Sequence, residues 1–346
     1  MNGNRQNIIL HIGHGKTGSS YIQSSLALSV GPLREAGVEY PEVKPFARAQ
    51  RGGISSGNLG DDKDFVQTVT DVARQHANAS RLLFSSEWLF RWILEDGETL
   101  ATLQKSFDLT VVLFTREFLA HAISVYGQKV KRRGCTTSLG EHLAGDRHPH
   151  AVLRVLEAVE RSGCSAAAFN YSRHSDHVLD VFAGAIGVAP EILVLPPVAR
   201  VNRSLDEAEL ALVRRFNAML GRSSGNLVAD ALCEKLPLHP TGTPRVTRQD
   251  YEAYRARVAP IEATINPLLP PFERYGADEP ILVEDGHDGA DRVMGFTEAQ
   301  LDVLTQSLGR EIVRLRAAKP SISRVQDLAA RTIRSMAGRL SHHFFR

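Results

Sequence analysis

The chain has 346 residues, 43% of them hydrophobic, enough for one large domain or for a domain with an appendage. Its 41 Lys and Arg against 39 Asp and Glu leave a formal charge of +2. That balance excludes a wholesale nucleic-acid binder, so any positive field has to be local. Three cysteines (Cys135, Cys164 and Cys233), far apart and with no CxxC pair, suggest neither a disulfide framework nor a zinc site and read as reduced thiols of a cytosol.

The segment MNGNRQN leads straight into an apolar strand. No basic region precedes an apolar stretch of about 7–15 residues, and no apolar run approaches the length of about 20 that a membrane helix needs. A soluble cytoplasmic protein is expected. Ile8, Ile9, Leu10 and Ile12 form the first strand, of the kind buried on both faces of a parallel sheet. The loop HIGHGKTGSS follows, then a helix carrying Ile22, Leu26 and Val30, with Pro32 beyond it. Residues 51–64, rich in Gly, Ser and Asp, read as an exposed loop, either a plain surface loop or an acceptor-side lid.

A helix with Phe65, Val69, Val72 and Ala73 comes next. Further strands are expected at Leu82–Phe84 (ending in Ser85-Ser86-Glu87), Val111–Phe114 (ending at Thr115-Arg116), Ala166–Phe169 and Ile192–Leu195. Helices lie between them, as at Val178, Phe182, Ala185 and Ile186. This alternation implies an α/β fold, a parallel sheet flanked by helices in three layers with right-handed crossovers. After residue 200 the pattern turns helical. Ser204 to Glu207 and Thr297 to Gln300 read as capping boxes. The second leads into Leu301, Leu304, Leu308, Ile312 and Leu315, and Pro320 ends that helix. The expected division is an α/β domain over 1–290 and a helical C-terminal extension over 291–346. Residues 321–346, with five arginines and one acid, form an amphipathic basic helix. Core packing or oligomer contact is its plain reading, and peripheral membrane attachment the sharper one.

The chemistry concentrates in Gly13 to Ser20. Gly13, Gly15 and Gly18 let backbone approach a ligand, the strand-to-helix position offers free N–H groups, Lys16 adds a charge, and Thr17, Ser19 and Ser20 add hydroxyls. Together they describe a phosphate or sulfate cradle, set against a plain Gly-rich turn. In a Walker A loop the first glycine would fall on Leu10, inside the strand, which makes this loop shorter than an ATPase loop and argues against kinase and GTPase chemistry.

Gly15-Lys16-Thr17-Gly18-Ser19-Ser20 resembles the 5′-phosphosulfate loop of sulfotransferases that use 3′-phosphoadenosine-5′-phosphosulfate (PAPS), with Gly for Pro and Ser for both Thr. The strand running into Arg116, with Ser124 eight residues on, resembles that family's 3′-phosphate site. Arg can grip a phosphate with two donors, though an ion pair with Glu117 is the plain alternative. LLFSSEW and Asn202-Arg203-Ser204 are similar to the family more loosely, and the likeness spans roughly residues 7–220.

The resemblance implies a P-loop nucleoside-triphosphate-hydrolase-like sulfotransferase fold. It implies PAPS as co-substrate, held by Gly15, Lys16, Thr17, Gly18, Ser19, Ser20, Arg116 and Ser124, with no metal required. It implies a hydroxyl acceptor, a carbohydrate by the same resemblance, and that acceptor needs a base. Glu87, past a strand end, is the first candidate and His14 the second. Glu87 as a helix N-terminal acid is the plain alternative. His11 reads as a partly buried strand histidine. Asp146, His148 and His150 could mimic metal ligands, but Pro149 and the loop composition favour a solvated turn. Lys129, Lys131, Arg132 and Arg133 form a solvated helix end or a patch for an acidic nucleotide or sulfated glycan. Two other readings stay open: a Mg²⁺-dependent P-loop kinase of a small molecule, and a non-catalytic nucleotide- or glycan-binding member of the fold.

Overall fold

The computed structural model describes residues 5–43, 57–60, 64–196, 204–236, 244–276, 283–284 and 295–318. Five parallel strands, β1 (Asn7–Ile12), β2 (Val38–Glu39), β3 (Arg81–Ser86), β4 (Asp108–Thr115) and β5 (Ser165–Asn170), form one sheet in the order β2-β3-β1-β4-β5. In register, Ile12 pairs with Ser86 on one side and Leu113 on the other, and Thr115 pairs with Asn170. The carboxyl ends of four strands therefore meet along one edge.

Alternation along the strands explains the layers. Ile8, Leu10, Ile12, Leu82, Phe84, Val111 and Leu113 join one apolar cluster, and Ile9, Leu83, Val112 and Phe114 join another on the opposite face. The second face is covered by α1 (Ser19–Leu28), α2 (Val30–Glu35) and, further along the chain, Val178–Ala185. The first is covered by α3 (Phe65–Gln75), α4 (Trp88–Glu95), α5 (Thr99–Gln104), the start of α6 (Phe118–Arg133) and, after a short α7 (Leu139–Ala144), α8 (His148–Ser162). The expected three-layer α/β architecture is present. Beyond α9 (Tyr171–His174) and α10 (Val178–Ala185), α11 (Glu207–Leu220) and α12 (Arg222–Lys235) build a separate helical cluster on α6. The helix α13 (Arg248–Ile265) returns to the first face, and α14 (Glu298–Ala318) joins the helical cluster through Leu304. No helix among the described residues is long and apolar enough to cross a membrane.

Several local expectations change. Ile192–Leu195 is not a strand. A 3-10 turn ends at Ile192, and Val194 is tied to α1 by Ser25 and Ser29 hydroxyls, its N–H donating to Ser29 Oγ at 2.7 Å. Leu195 is 69% exposed, so this apolar run does not mark a buried strand. The fifth strand is β2, too short to leave an apolar signature. The first helix stops at Leu28, and Pro32 lies in the first turn of α2, where its missing N–H costs nothing.

The capping box sits two residues later than expected, on Asp206 and Glu209, because the Asp206 carboxylate accepts from Glu209 N. The Thr297–Gln300 box forms as read. Within the expected exposed loop, residues 57–60 are instead tucked in. Asn58 and Leu59 are buried, and Asn58 bonds Pro41 O, Leu83 O and Ser85 N. Residues 202–203 and 321–346 lie outside the described residues.

Candidate anion-binding site

The Gly13–Ser20 loop leaves the carboxyl end of β1, the central strand, where chain connections depart to opposite sides. Open α/β sheets place ligands at such a point. Gly13 abuts the end of β3. Its N–H donates to Ser86 O at 2.9 Å, and a Cβ there would lie 3.0 Å from Ser86 and Glu87 backbone. Lys16 (φ 70°) and Gly18 (φ 78°) are both left-handed, and Gly18 caps α1 without a side-chain partner. Alternating backbone hands turn successive N–H groups inward, forming a nest for an anion. The six backbone N–H groups of Gly15 to Ser20 donate to no other described residue.

The hydroxyls divide their work. Thr17 Oγ1 and Ser19 Oγ both donate to His14 O at 2.7 Å, and Ser19 Oγ accepts from His14 N. Both are buried and shape the loop from within rather than facing outward. Ser20 is half-buried and makes no such internal bond.

Two cations approach the nest. Lys16 Nζ donates to Gln128 Oε1 at 3.1 Å. Burial, then Lys131 and Arg116 nearby, lower its pKa, while Glu87 pulls it upward. Arg116, at the end of β4, does not pair with Glu117, whose carboxylate accepts from Asn170. It donates from Nη1 to Lys16 O at 3.1 Å and stacks 5.7 Å over Tyr171, and its buried Nε has no partner. On α6, His121, Ser124 and Gln128 are spaced three and then four apart and so share a face. His121 and Gln128 touch Gly15 and Lys16, which places half-buried Ser124 on the loop-facing side between them. Of the basic run, Lys131 is buried, Arg132 is paired with Asp230 and Lys129 lies against His142, so it is not merely a solvated helix end.

Glu87 immediately precedes α4, but its side chain makes no capping bond; Trp88 N donates to Ser86 Oγ instead. Its side chain is exposed, yet the surrounding protein raises its proton affinity, and Lys16 opposes that rise. Glu87, Lys16 and Arg116 thus form one electrostatic group at the mouth of the loop.

Sequence spacing does not reveal what lies beneath the loop. His14, His121 and His148 stack together, with ring centroids 4.3–4.8 Å from His14 and 3.7 Å between His121 and His148. His148 is therefore not in a solvated turn. It opens α8, with Pro149 in the first turn, and its ring turns inward while His150 stays exposed. Burial lowers the His14 pKa to about 4 and that of His121 to about 2. His11, on the other face, is wholly rather than partly buried and bonds Ser85 Oγ at 2.8 Å.

No family profile matches this chain, and no curated sequence does. Among solved structures it is similar to a sulfotransferase from Alicyclobacillus acidocaldarius. That likeness covers 77% of this chain and 96% of the other, at 14% identity and a TM-score of 0.40.

Proposed function

We propose that the protein is a sulfotransferase that moves a sulfuryl group from PAPS to a hydroxyl of an acceptor, a saccharide in the first instance. The observation that carries this reading is the run of unpartnered N–H groups from Gly15 to Ser20, with Lys16 and Arg116 converging on it. The chemistry of the donor set fits a nucleotide bearing two anionic groups. The nest and Lys16 suit a 5′-phosphosulfate, while Arg116, whose Nε is still unpartnered, and Ser124 suit a 3′-phosphate.

The bound nucleotide supplies an activated sulfuryl group. The N–H groups of Thr17, Gly18, Ser19 and Ser20 hold the 5′-phosphate, with Thr17 and Ser19 hydroxyls fixing the loop's shape. Lys16 neutralises charge on the leaving phosphate oxygen as the S–O bond breaks. Glu87 accepts the acceptor's proton as the acceptor oxygen bonds to sulfur, and the proton affinity that burial raises strengthens it as a base. His14 is a poorer base, because its ring is buried beneath the loop and its carbonyl is engaged. No residue in this scheme calls for a metal.

Included in the proposal are a P-loop-type α/β domain over 1–290 with a helical extension over 291–346, and a cytoplasmic location. Self-association or peripheral membrane contact through the basic tail belongs to it as well, with no nucleic-acid partner. The kinase reading lacks an acid where β4 ends, since Arg116 stands there.

Calorimetry with 3′-phosphoadenosine-5′-phosphate against ATP–Mg²⁺ tests the reading. The first ligand is expected to bind more tightly. Lys16→Ala and Arg116→Ala should each weaken it about 10–100-fold, the value of a hydrogen bond to a charged group. A preference for ATP–Mg²⁺ overturns the proposal.

A further inference from the structure

We propose that His14, His121 and His148 bind one divalent transition-metal ion of the zinc class, through His14 Nδ1, His121 Nδ1 and His148 Nε2, beneath the anion loop. The three residues come from the loop after β1, from α6 and from the start of α8. One ring nitrogen of each lies within 4.8 Å of one of each of the others. The three named nitrogens are shut off from solvent and have no hydrogen-bond partner among the described residues.

For His121 the tautomer is determined. Nε2 faces Gly15 O at 3.2 Å, a carbonyl can only accept, and so Nε2 carries the proton and Nδ1 presents a lone pair. An imidazole whose second nitrogen is bonded to a backbone carbonyl is the usual arrangement of a metal-ligating histidine. Three buried ring nitrogens without a partner are costly to leave unmatched, and in the tautomers that leave His14 Nδ1 and His148 Nε2 unprotonated all three offer lone pairs. One cation can bind all three.

The walls are apolar: Phe90 stands 4.6 Å from His14, and Phe118 5.9 Å from His148. Burial keeps all three rings neutral, the form that coordinates. An all-imidazole set selects zinc, copper, nickel or cobalt and discriminates against magnesium and calcium. The fit is close. An ion centred in a triangle of 4.8 Å sides lies about 2.8 Å from each corner, against about 2.0–2.1 Å for a Zn–N bond, so each ring closes by under about 1 Å.

Three protein ligands leave a fourth position for water or another small ligand. Because the His14 backbone anchors Thr17 and Ser19, an ion on its ring ties the loop to α6 and α8. This assignment stands whether or not the loop binds a sulfonucleotide.

The test uses the full chain, stripped with a chelator and titrated with Zn²⁺ against a chromophoric competitor, and separately with Co²⁺. One equivalent of Zn²⁺ is expected, together with the intense visible bands of four-coordinate Co²⁺. His121→Ala and His148→Ala should each lower affinity by at least about tenfold, the loss seen even when an outer-shell partner is removed. His177→Ala alters an unrelated imidazole pair, His174 with His177, and should change nothing. Binding that survives in both site variants, or that is lost in His177→Ala, overturns the assignment. If the site variants do not fold, the wild-type Co²⁺ spectrum decides: weak octahedral bands, or none, also overturn it.

Discussion

Lys16 is the only non-glycine residue with positive φ among those described, and it is a cation crowded by burial and by Lys131 and Arg116. A left-handed backbone at a residue with a Cβ costs about 1–2 kcal/mol. Lys16→Gly removes that cost, and the greater freedom of glycine in the unfolded chain offsets about 0.5–1 kcal/mol of it. The ligand-free variant should therefore be more stable by up to about 1.5 kcal/mol in its backbone contribution, before any gain from relieved charge crowding. Lys16→Ala keeps the strain while also removing the ammonium and its bond to Gln128, so comparing it with Lys16→Gly isolates the backbone effect.

Guanidinium unfolding at constant m-value measures stability, and calorimetry with 3′-phosphoadenosine-5′-phosphate measures binding. Both variants should bind about 10–100-fold more weakly. If Lys16→Gly is less stable than Lys16→Ala, the strain argument fails. Unchanged affinity in both would mean that the ammonium group does not face the anion.

Three further outcomes are expected. Glu87→Gln should lower turnover about 10²–10⁴-fold while leaving nucleotide affinity intact. The wild-type rate should fall as pH drops through a Glu87 midpoint lying above the ordinary 4.5, and that limb should vanish in the variant; a limb that persists assigns the base elsewhere. Gly18→Ala places a methyl 2.9 Å from Tyr171 Cε2 at φ 78° and should cost at least about 1–2 kcal/mol, whereas Gly15→Ala meets open space and should cost less; equal losses would sink the packing argument. His11 has its pKa lowered by burial from 6.5 to about 3, so the unfolded chain binds more protons between those values. Its contribution is present above pH 6.5 and is lost progressively on acidification, amounting to at most about 3 kcal/mol by pH 4.5. His14 and His121, also lowered by burial, add in the same direction. His11→Asn should flatten the stability–pH slope, and an unchanged slope would contradict this.

The strands β1, β3, β4 and β5 were legible because each is an uninterrupted apolar or small-residue run bounded by polar residues. The anion loop was legible because glycine, lysine and hydroxyls crowd one strand-to-helix junction. What escaped was non-local. His14, His121 and His148 lie on three elements, and no spacing within the chain brings them together. Asn58 looked like a loop residue because its composition is a loop's, yet its amide stands in for missing sheet partners along β3. Thr17 and Ser19 were expected to face a ligand. Hydroxyls beside an unpaired carbonyl turn to it instead, a preference that residue type alone does not disclose.

The loop is fastened before any ligand arrives. β3 holds Gly13, β4 holds Lys16 through Arg116, α6 holds Gly15 through His121, and Tyr171 beyond β5 closes on Gly18. An anion entering the nest thus finds its donors already aimed and has little conformational freedom to remove. Ordering costs that erode affinity at floppy sites are correspondingly small. Association should then carry a modest entropic penalty, and substitutions that loosen any of these four fastenings should appear in the entropy of binding before they appear in its enthalpy.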